Sequence, residues 1–236
     1  MKRKIWGFML TITCLLLLFS TAYKEIEQKN TVTDYDGNIY NTVKIGTQTW
    51  MRENLKTTHY RNGDTILYAP DDKQWYNACS GESFGLTGAY CNYDNDPANA
   101  EIYGRLYNSQ AVTDIRGIAP AGWHIPTKAE WKILENYLGG EDTAGGKLKE
   151  SGTTHWISPN IGADNFSGFS GVPGGFRFRR GPFASIGFAG YFWSSGWTSL
   201  GGADAAWFRL VNYSAKSINK NDYTEGSGFS VRCIKD

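Results

Sequence analysis

The sequence predicts an α+β domain of short antiparallel strands, two helices and long loops. Three observations carry this expectation. First, 28 of the 236 residues are glycine and aromatic residues make up 15% of the chain. Average glycine usage is about 7%, so the composition describes a turn-rich fold whose core is filled by rings. Second, residues 118–140, IAPAGWHIPTKAEWKILENYLGG, contain one complete helix signal. Third, residues 153–236 carry four tryptophans and repeat aromatic–glycine units (NFSGFSGVPGGFRF, GYFWSSGW, AAWFRLVNY, GFSVRC), as short strands joined by bends do.

The chain begins with a basic cluster, Lys2, Arg3 and Lys4, followed by an apolar run over residues 5–19. Ser20-Thr21-Ala22 then offers small residues before Tyr23. This is the pattern of a secretory signal peptide over residues 1–22. An apolar run of about 15 residues falls short of the ~20 that span a bilayer. No stable membrane span is therefore expected after cleavage, and the chain is expected to be exported to the periplasm, the cell surface or the medium. Cys14 is flanked by Thr11 and Thr13 and followed by four leucines, a poor context for lipidation. Residues 23–33 read as a polar linker and residues 34–236 as one domain. The formal net charge of +1 supplies no field that would recruit nucleic acid or anionic lipid.

Within the domain, residues 31–46 read as a β-hairpin turning at Asp36-Gly37, where a type I′ turn needs positive φ. Trp50 and Leu55 are candidate core residues, and His59 reads as a solvated histidine. A short strand is expected over residues 65–68. Residues 70–99 read as loop. The segment GESFG, Gly81 to Gly85, matches the G-x-S-x-G pattern but lacks the strand before and the helix after that a nucleophile elbow requires. Asn92, Asp94 and Asp96 belong to an oxygen-rich run that also includes Asn95, Asn99 and Glu101. Calcium takes six to eight oxygens, so these residues are the candidate metal ligands, although such runs also form turns readily.

Tyr103, Leu106, Tyr107, Gln110 and Ala111 recur at helical offsets, predicting a helix over residues 103–112. In the next helix Thr127 is the N-cap and Glu130 completes a capping box. Pro126 and Trp131 occupy the hydrophobic-staple positions. Trp131, Leu134 and Leu138, broadened by Ile133 and Tyr137, form the apolar face, and Gly139-Gly140 ends it. Another helix is expected from Asp142 to near Gly152. Trp50, Trp123, His124, Trp131 and Trp193 are the expected core. Arg177, Arg179 and Arg180 form a basic cluster among rings and are the candidate ligand contacts. After signal cleavage three cysteines remain. Cys79 and Cys91 bracket a Gly-rich loop, and in an exported chain a disulfide between them is expected, worth about 3 kcal/mol. Cys233 is then unpaired. No Cys/His spacing suggests zinc, and no cofactor is expected beyond a calcium ion.

The ordered motifs IGTQTWMRENLKT, YGRLYN, RGIAPAGWHIPTKAEW, LGG, AGGKLK, PGGFRF, FWSS and GFSVRCIKD resemble the Fibrobacter succinogenes major paralogous domain, a family of exported bacterial proteins. The resemblance covers nearly the whole expected domain. It implies a C-type-lectin-like fold related to that of formylglycine-generating enzymes, and a binding module for a polysaccharide or a surface protein. The alternative it raises is an enzyme of the formylglycine-generating type. That chemistry uses a copper-binding pair of cysteines, which Cys79, Cys91 and Cys233 do not match. A hydrolase with paired carboxylates is a third class, since fold does not fix function. The resemblance also implies that position 119, often cysteine in the family, lies near the cysteine of the final strand. Here it is Ala119. The variant Ala119→Cys is expected to form a disulfide with Cys233, checked by non-reducing peptide mapping. Absence of that link would show the inferred proximity to be wrong.

Overall fold

The computed structural model describes residues 30–82, 85–200, 203–224 and 226–236. The expected signal peptide and most of the linker lie outside the described residues. Val32–Asp236 form one unit, a mixed α/β arrangement. In chain order it contains β1 (Thr31–Thr33), β2 (Ile39–Ile45), β3 (Gln48–Met51), β4 (Leu67–Tyr68), α1 (Asp72–Ser80), β5 (Ala89–Cys91), a 3-10 turn (Tyr93–Asn95), α2 (Pro97–Tyr103), β6 (Leu106–Tyr107) and α3 (Ser109–Thr113). The second half contains β7 (Trp123–His124), α4 (Lys128–Tyr137), α5 (Glu141–Leu148), β8 (Gly174–Arg177), β9 (Phe183–Ile186), β10 (Ala189–Leu200), β11 (Ala203–Asn212), β12 (Ile218–Thr224) and β13 (Ile234–Lys235).

Three sheets result. Their orders are β1-β2-β3-β13-β7, β12-β11-β10-β8-β9 and β4-β5-β6. The expectation of short antiparallel strands needs correction on two counts. β10 runs for 12 residues against the 10 of β11, and β4 with β5 and β8 with β10 pair in parallel. The expectation of two helices is also too low, since five are present among the described residues.

The first hairpin forms, but not through a type I′ turn. Of Asp36 and Gly37, only Gly37 has positive φ. The turn is held by Asp34 instead: its carbonyl accepts from Gly37 N at 3.1 Å, and its carboxylate accepts from Asn38 N and Asn38 Nδ2, both at 2.9 Å. Residues 70–99 are not loop. Asp71 caps α1 by accepting from Gln74 N, and Trp75, Ala78 and Cys79 turn inward. The expected helix over residues 103–112 is interrupted. α2 ends at Tyr103 with Gly104 at φ 74, and Leu106 and Tyr107 pair with Cys91 and Tyr90 before α3 begins.

α4 forms with both halves of its capping box. Trp131, Leu134 and Leu138 are buried, whereas Ile133 and Tyr137 are 50% and 60% exposed. The apolar stripe is therefore narrower than expected. At 3.6 residues per turn Ile133 lies about 200° around the helix from Trp131. α5 approaches β12 through Gly145, where a Cβ would meet Ser217 O at 2.1 Å. Only glycine permits that approach.

Trp50, Trp131, Trp156, Phe169 and Phe192 belong to one buried cluster between α4, α5 and the sheets. Trp50 and Trp131 stand 4.9 Å apart between ring centroids. Trp123 and Trp193 lie in a second cluster with Tyr107, Phe208 and Phe229, and a third forms around Trp75. Glu135 and Arg209 make a buried ion pair at 2.6 Å that ties α4 to β11. Trp131→Ala is expected to cost about 3–5 kcal/mol in urea unfolding. Ile133→Ala, on the exposed face, should stay within about 0.5 kcal/mol.

Candidate functional site

Asp34, Tyr35, His59 and Arg61 line a cleft of about 210 Å3 between the β1–β2 turn and residues 118–121. His59 lines it and is not simply solvated: its Nδ1 makes a short contact with Asp36 Oδ1. Asp36 also accepts from Thr57 Oγ1 at 3.1 Å, from Thr58 Oγ1 at 2.9 Å and from the Thr58 amide. Burial pushes the Asp36 carboxyl up, but the Thr58 amide, His59 and the two hydroxyls outweigh it and leave its pKa lowered. An ionised Asp36 requires the proton on His59 Nδ1, so in the neutral ring Nε2 carries the lone pair.

Arg61 stands in the same cleft. Its Nε donates to Ala119 O at 3.1 Å and its Nη2 to Trp123 O at 3.0 Å. No carboxylate pairs with it among the described residues. It also borders a neighbouring cleft of about 230 Å3 that includes His124 and Ser195.

A further cleft, of about 280 Å3, is bounded by Asn41, Arg52, Glu150, Ile102 and Val172, with Arg232 also contributing. Arg52 Nε donates to Gly168 O at 3.1 Å and its Nη2 lies 3.3 Å from Ser170 Oγ. Glu150 Oε2 and His155 Nδ1 are 2.8 Å apart. Arg232, wholly buried, donates to Asn54 Oδ1 from both Nε and Nη2, at 3.0 and 2.7 Å.

The residues expected to act from sequence are placed as follows. Arg177 is wholly buried and is no ligand contact. It donates to Ala69 O, Pro70 O and Gly181 O and pairs with Asp72, so its charge is consumed in holding α1 to β8. Arg179 is half-buried over the Tyr76 ring, and Arg180 is exposed. Cys79 and Cys91 are both buried thiols and the expected disulfide is not formed. Cys79 Sγ instead contacts Gly226 O at 3.2 Å. Burial pushes the Cys91 and Cys233 thiols up to about 12.

Asn92 is buried, while Asp94 and Asp96 are exposed. Asp96 spends its carboxylate on the N-terminus of α2. Asn95 Nδ2 and Arg177 donate to the same Pro70 carbonyl, while the buried Oδ1 atoms of Asn92 and Asn95 have no hydrogen-bond partner among the described residues. Among the described residues no three His, Cys, Asp or Glu side chains converge as a metal site. Ser83 of GESFG lies outside the described residues.

His124 was expected in the core, yet its side chain is 36% exposed. Its Nδ1 lies 2.6 Å from Asp236 Oδ1 and its Nε2 lies 2.8 Å from Glu130 Oε1. The ring therefore clamps β7 to the capping box of α4. Sequence reasoning passed over the Asp36–His59 pair, and its only local signal is the Thr57-Thr58-His59 run facing a turn aspartate.

The geometry describes a mixed α/β domain with polar clefts at the edges of an aromatic core. The chain belongs to the Fibrobacter succinogenes major domain family, which it matches over residues 43–235. No curated protein and no solved structure matches it.

Burial pushes the His124 pKa down, but the bonds to Asp236 and Glu130 outweigh it and the net shift is upward. A folded-state pKa above the unfolded value gives stability that is full below about 6.5 and is lost as pH rises through the folded value. The stability advantage of the wild type over His124→Gln is thus expected to be full below about pH 6.5 and to shrink as pH rises above it, read from urea midpoints. An advantage that does not change with pH would refute the clamp.

Proposed function

We propose that this domain is an exported, cell-surface or periplasmic binding module on a C-type-lectin-like plan, and that its ligand is a glycan taken up in the Arg52–Glu150 cleft. One observation carries the reading. Unspent hydrogen-bonding capacity of both signs lines a single cleft beside an apolar wall. Asn41 uses its amide and Nδ2 on Glu53, which leaves Oδ1. Glu150 keeps Oε1 and Arg52 keeps Nη1. Ile102 and Val172 supply the wall. Sugars present alternating hydroxyl donors and acceptors around an apolar ring face, and such a lining complements them. Arg52, Glu150 and Val172 stand on loops, where binding residues concentrate on rigid scaffolds, beside Asn41 of β2 and Ile102 of α2.

The basic start and apolar run of residues 2–19 support export. A surface-protein partner is the companion reading. The formylglycine-type alternative draws no support from thiols buried and held protonated, since the thiolate is the reactive and metal-binding form.

A glycan array followed by calorimetric titration of the best hit tests the proposal. Arg52→Ala and Glu150→Gln are each expected to weaken binding about tenfold, close to 1.4 kcal/mol, with the melting temperature unchanged. Silence across polysaccharides, or binding indifferent to both variants, would sink it.

A further inference from the structure

The cleft lined by Asp34, His59 and Arg61 takes no part in the proposed glycan cleft, and its polar capacity is of a different kind. Asp34 is spent: its carboxylate accepts from Tyr40 Oη at 2.6 Å and from two groups of Asn38. Asp36 is spent on the two threonines and His59. Three charged or titratable side chains of the cleft retain capacity: Arg61, His59 and Tyr35, whose ring lies 5.4 Å from that of His59. Arg61 keeps both hydrogens of Nη1 and the second hydrogen of Nη2, enough for an end-on fork, and His59 keeps Nε2, which has no hydrogen-bond partner among the described residues.

Arg61 is already fixed. Two backbone carbonyls, from segments 58 and 62 residues further along the chain, orient its plane. A guanidinium held this way loses little freedom when it takes an oxyanion bidentately. The two nearby aspartates oppose a bare anion, and a neutral His59 offers an acceptor at Nε2, which repels a carboxylate oxygen. A hydroxyl next to the carboxylate resolves the second problem, because it donates to Nε2 while the carboxylate sits on Arg61; the two aspartates are already bound to their own donors. Ile118, Ala119 and Pro120 close the cleft with small apolar surface, which suits a compact body.

We infer that this cleft binds a hydroxy-carboxylate, with Arg61 holding the carboxylate and His59 Nε2 accepting from the neighbouring hydroxyl. The same chemistry occurs in an acidic sugar unit of a polysaccharide and in a free hydroxy acid. The inference does not rest on the glycan cleft.

Titrations of the 15N-labelled protein with galacturonate, lactate, acetate and galactose decide it. Galacturonate or lactate should shift the Arg61 Nε–H and the amides of residues 117–121, with acetate and galactose at least tenfold weaker. Tighter binding of galacturonate than of lactate assigns the source as acidic sugar; the reverse assigns a free hydroxy acid. Arg61→Lys keeps the charge but not the fork, and His59→Phe keeps a ring without the acceptor. Each should weaken binding about tenfold, whereas Arg52→Ala should leave it unchanged. Acetate or galactose binding as tightly as galacturonate, no shifts up to about 10 mM ligand, or indifference to Arg61→Lys would overturn the inference. Should either variant melt early, the Arg61 Nε–H shift in the wild type decides alone.

Discussion

Residues 226–234 are buried one after another, so the peptide groups in this stretch need partners inside the protein. They find them in all three sheets. Gly228 exchanges hydrogen bonds with Arg177, and Phe229 exchanges them with Tyr107. Ser230 N donates to Tyr191 O, and Ser230 O accepts from Trp193 N. Val231 O takes Leu55 N and Cys233 O takes Met51 N. A segment bonded on both sides to β3, β6, β8 and β10 fixes where those strands stand. Arg232 shares the task. It is buried without a carboxylate partner, satisfied by Asn54, Met51 O and Phe169 O, and lies 4.2 Å over the Phe169 ring. Burial lowers its pKa to about 9, which still leaves it charged at neutral pH.

The clefts are where the segments bonded to this strand meet solvent. Asn54 holds Arg232 and borders one cleft. Arg61 reaches across to Ala119 and Trp123 at another. Charged groups in the interior are consumed, as in Arg177 on α1, Lys149 with its ammonium on Ile161 O, Asn212 O and Ala215 O, and Glu135 with Arg209. Those at the cleft edges keep capacity. The division between spent and available charge thus follows depth, not residue type, and neighbours in sequence fall on both sides of it. Arg177 is spent while Arg180, three residues on, is exposed.

Local signals were the legible ones. The capping box of α4, the turn after β1 and the glycine stop after residue 138 depend on residues within one turn of each other, and the ordered motifs were enough to place the family. α1 was readable too, from Asp71 with Gln74 three residues on and Trp75, Ala78 and Cys79 at helical spacing, but the cysteines invite a disulfide reading instead. The candidate sites were not legible. Asp36 meets His59 across 23 residues, Arg61 meets Ala119 across 58, and Arg177 meets Ala69 across 108. Such pairings follow from sheet order, which neither composition nor periodicity encodes. The basic cluster at 177–180 misleads for the same reason, since only the fold decides which arginine is enclosed.

The bond between Asn54 and Arg232 spans 178 residues, and closing so long a loop costs chain entropy before any contact repays it. The ties of Phe229 to Tyr107, Val231 to Leu55 and Cys233 to Met51 have the same character. The chain therefore faces a late, concerted search in which three partly assembled sheets wait for one strand, with tryptophan-rich faces open to solvent meanwhile. Rate, and not final stability, is where this architecture is most vulnerable, and a chain built this way meets its greatest risk of aggregation in the interval before that strand is seated.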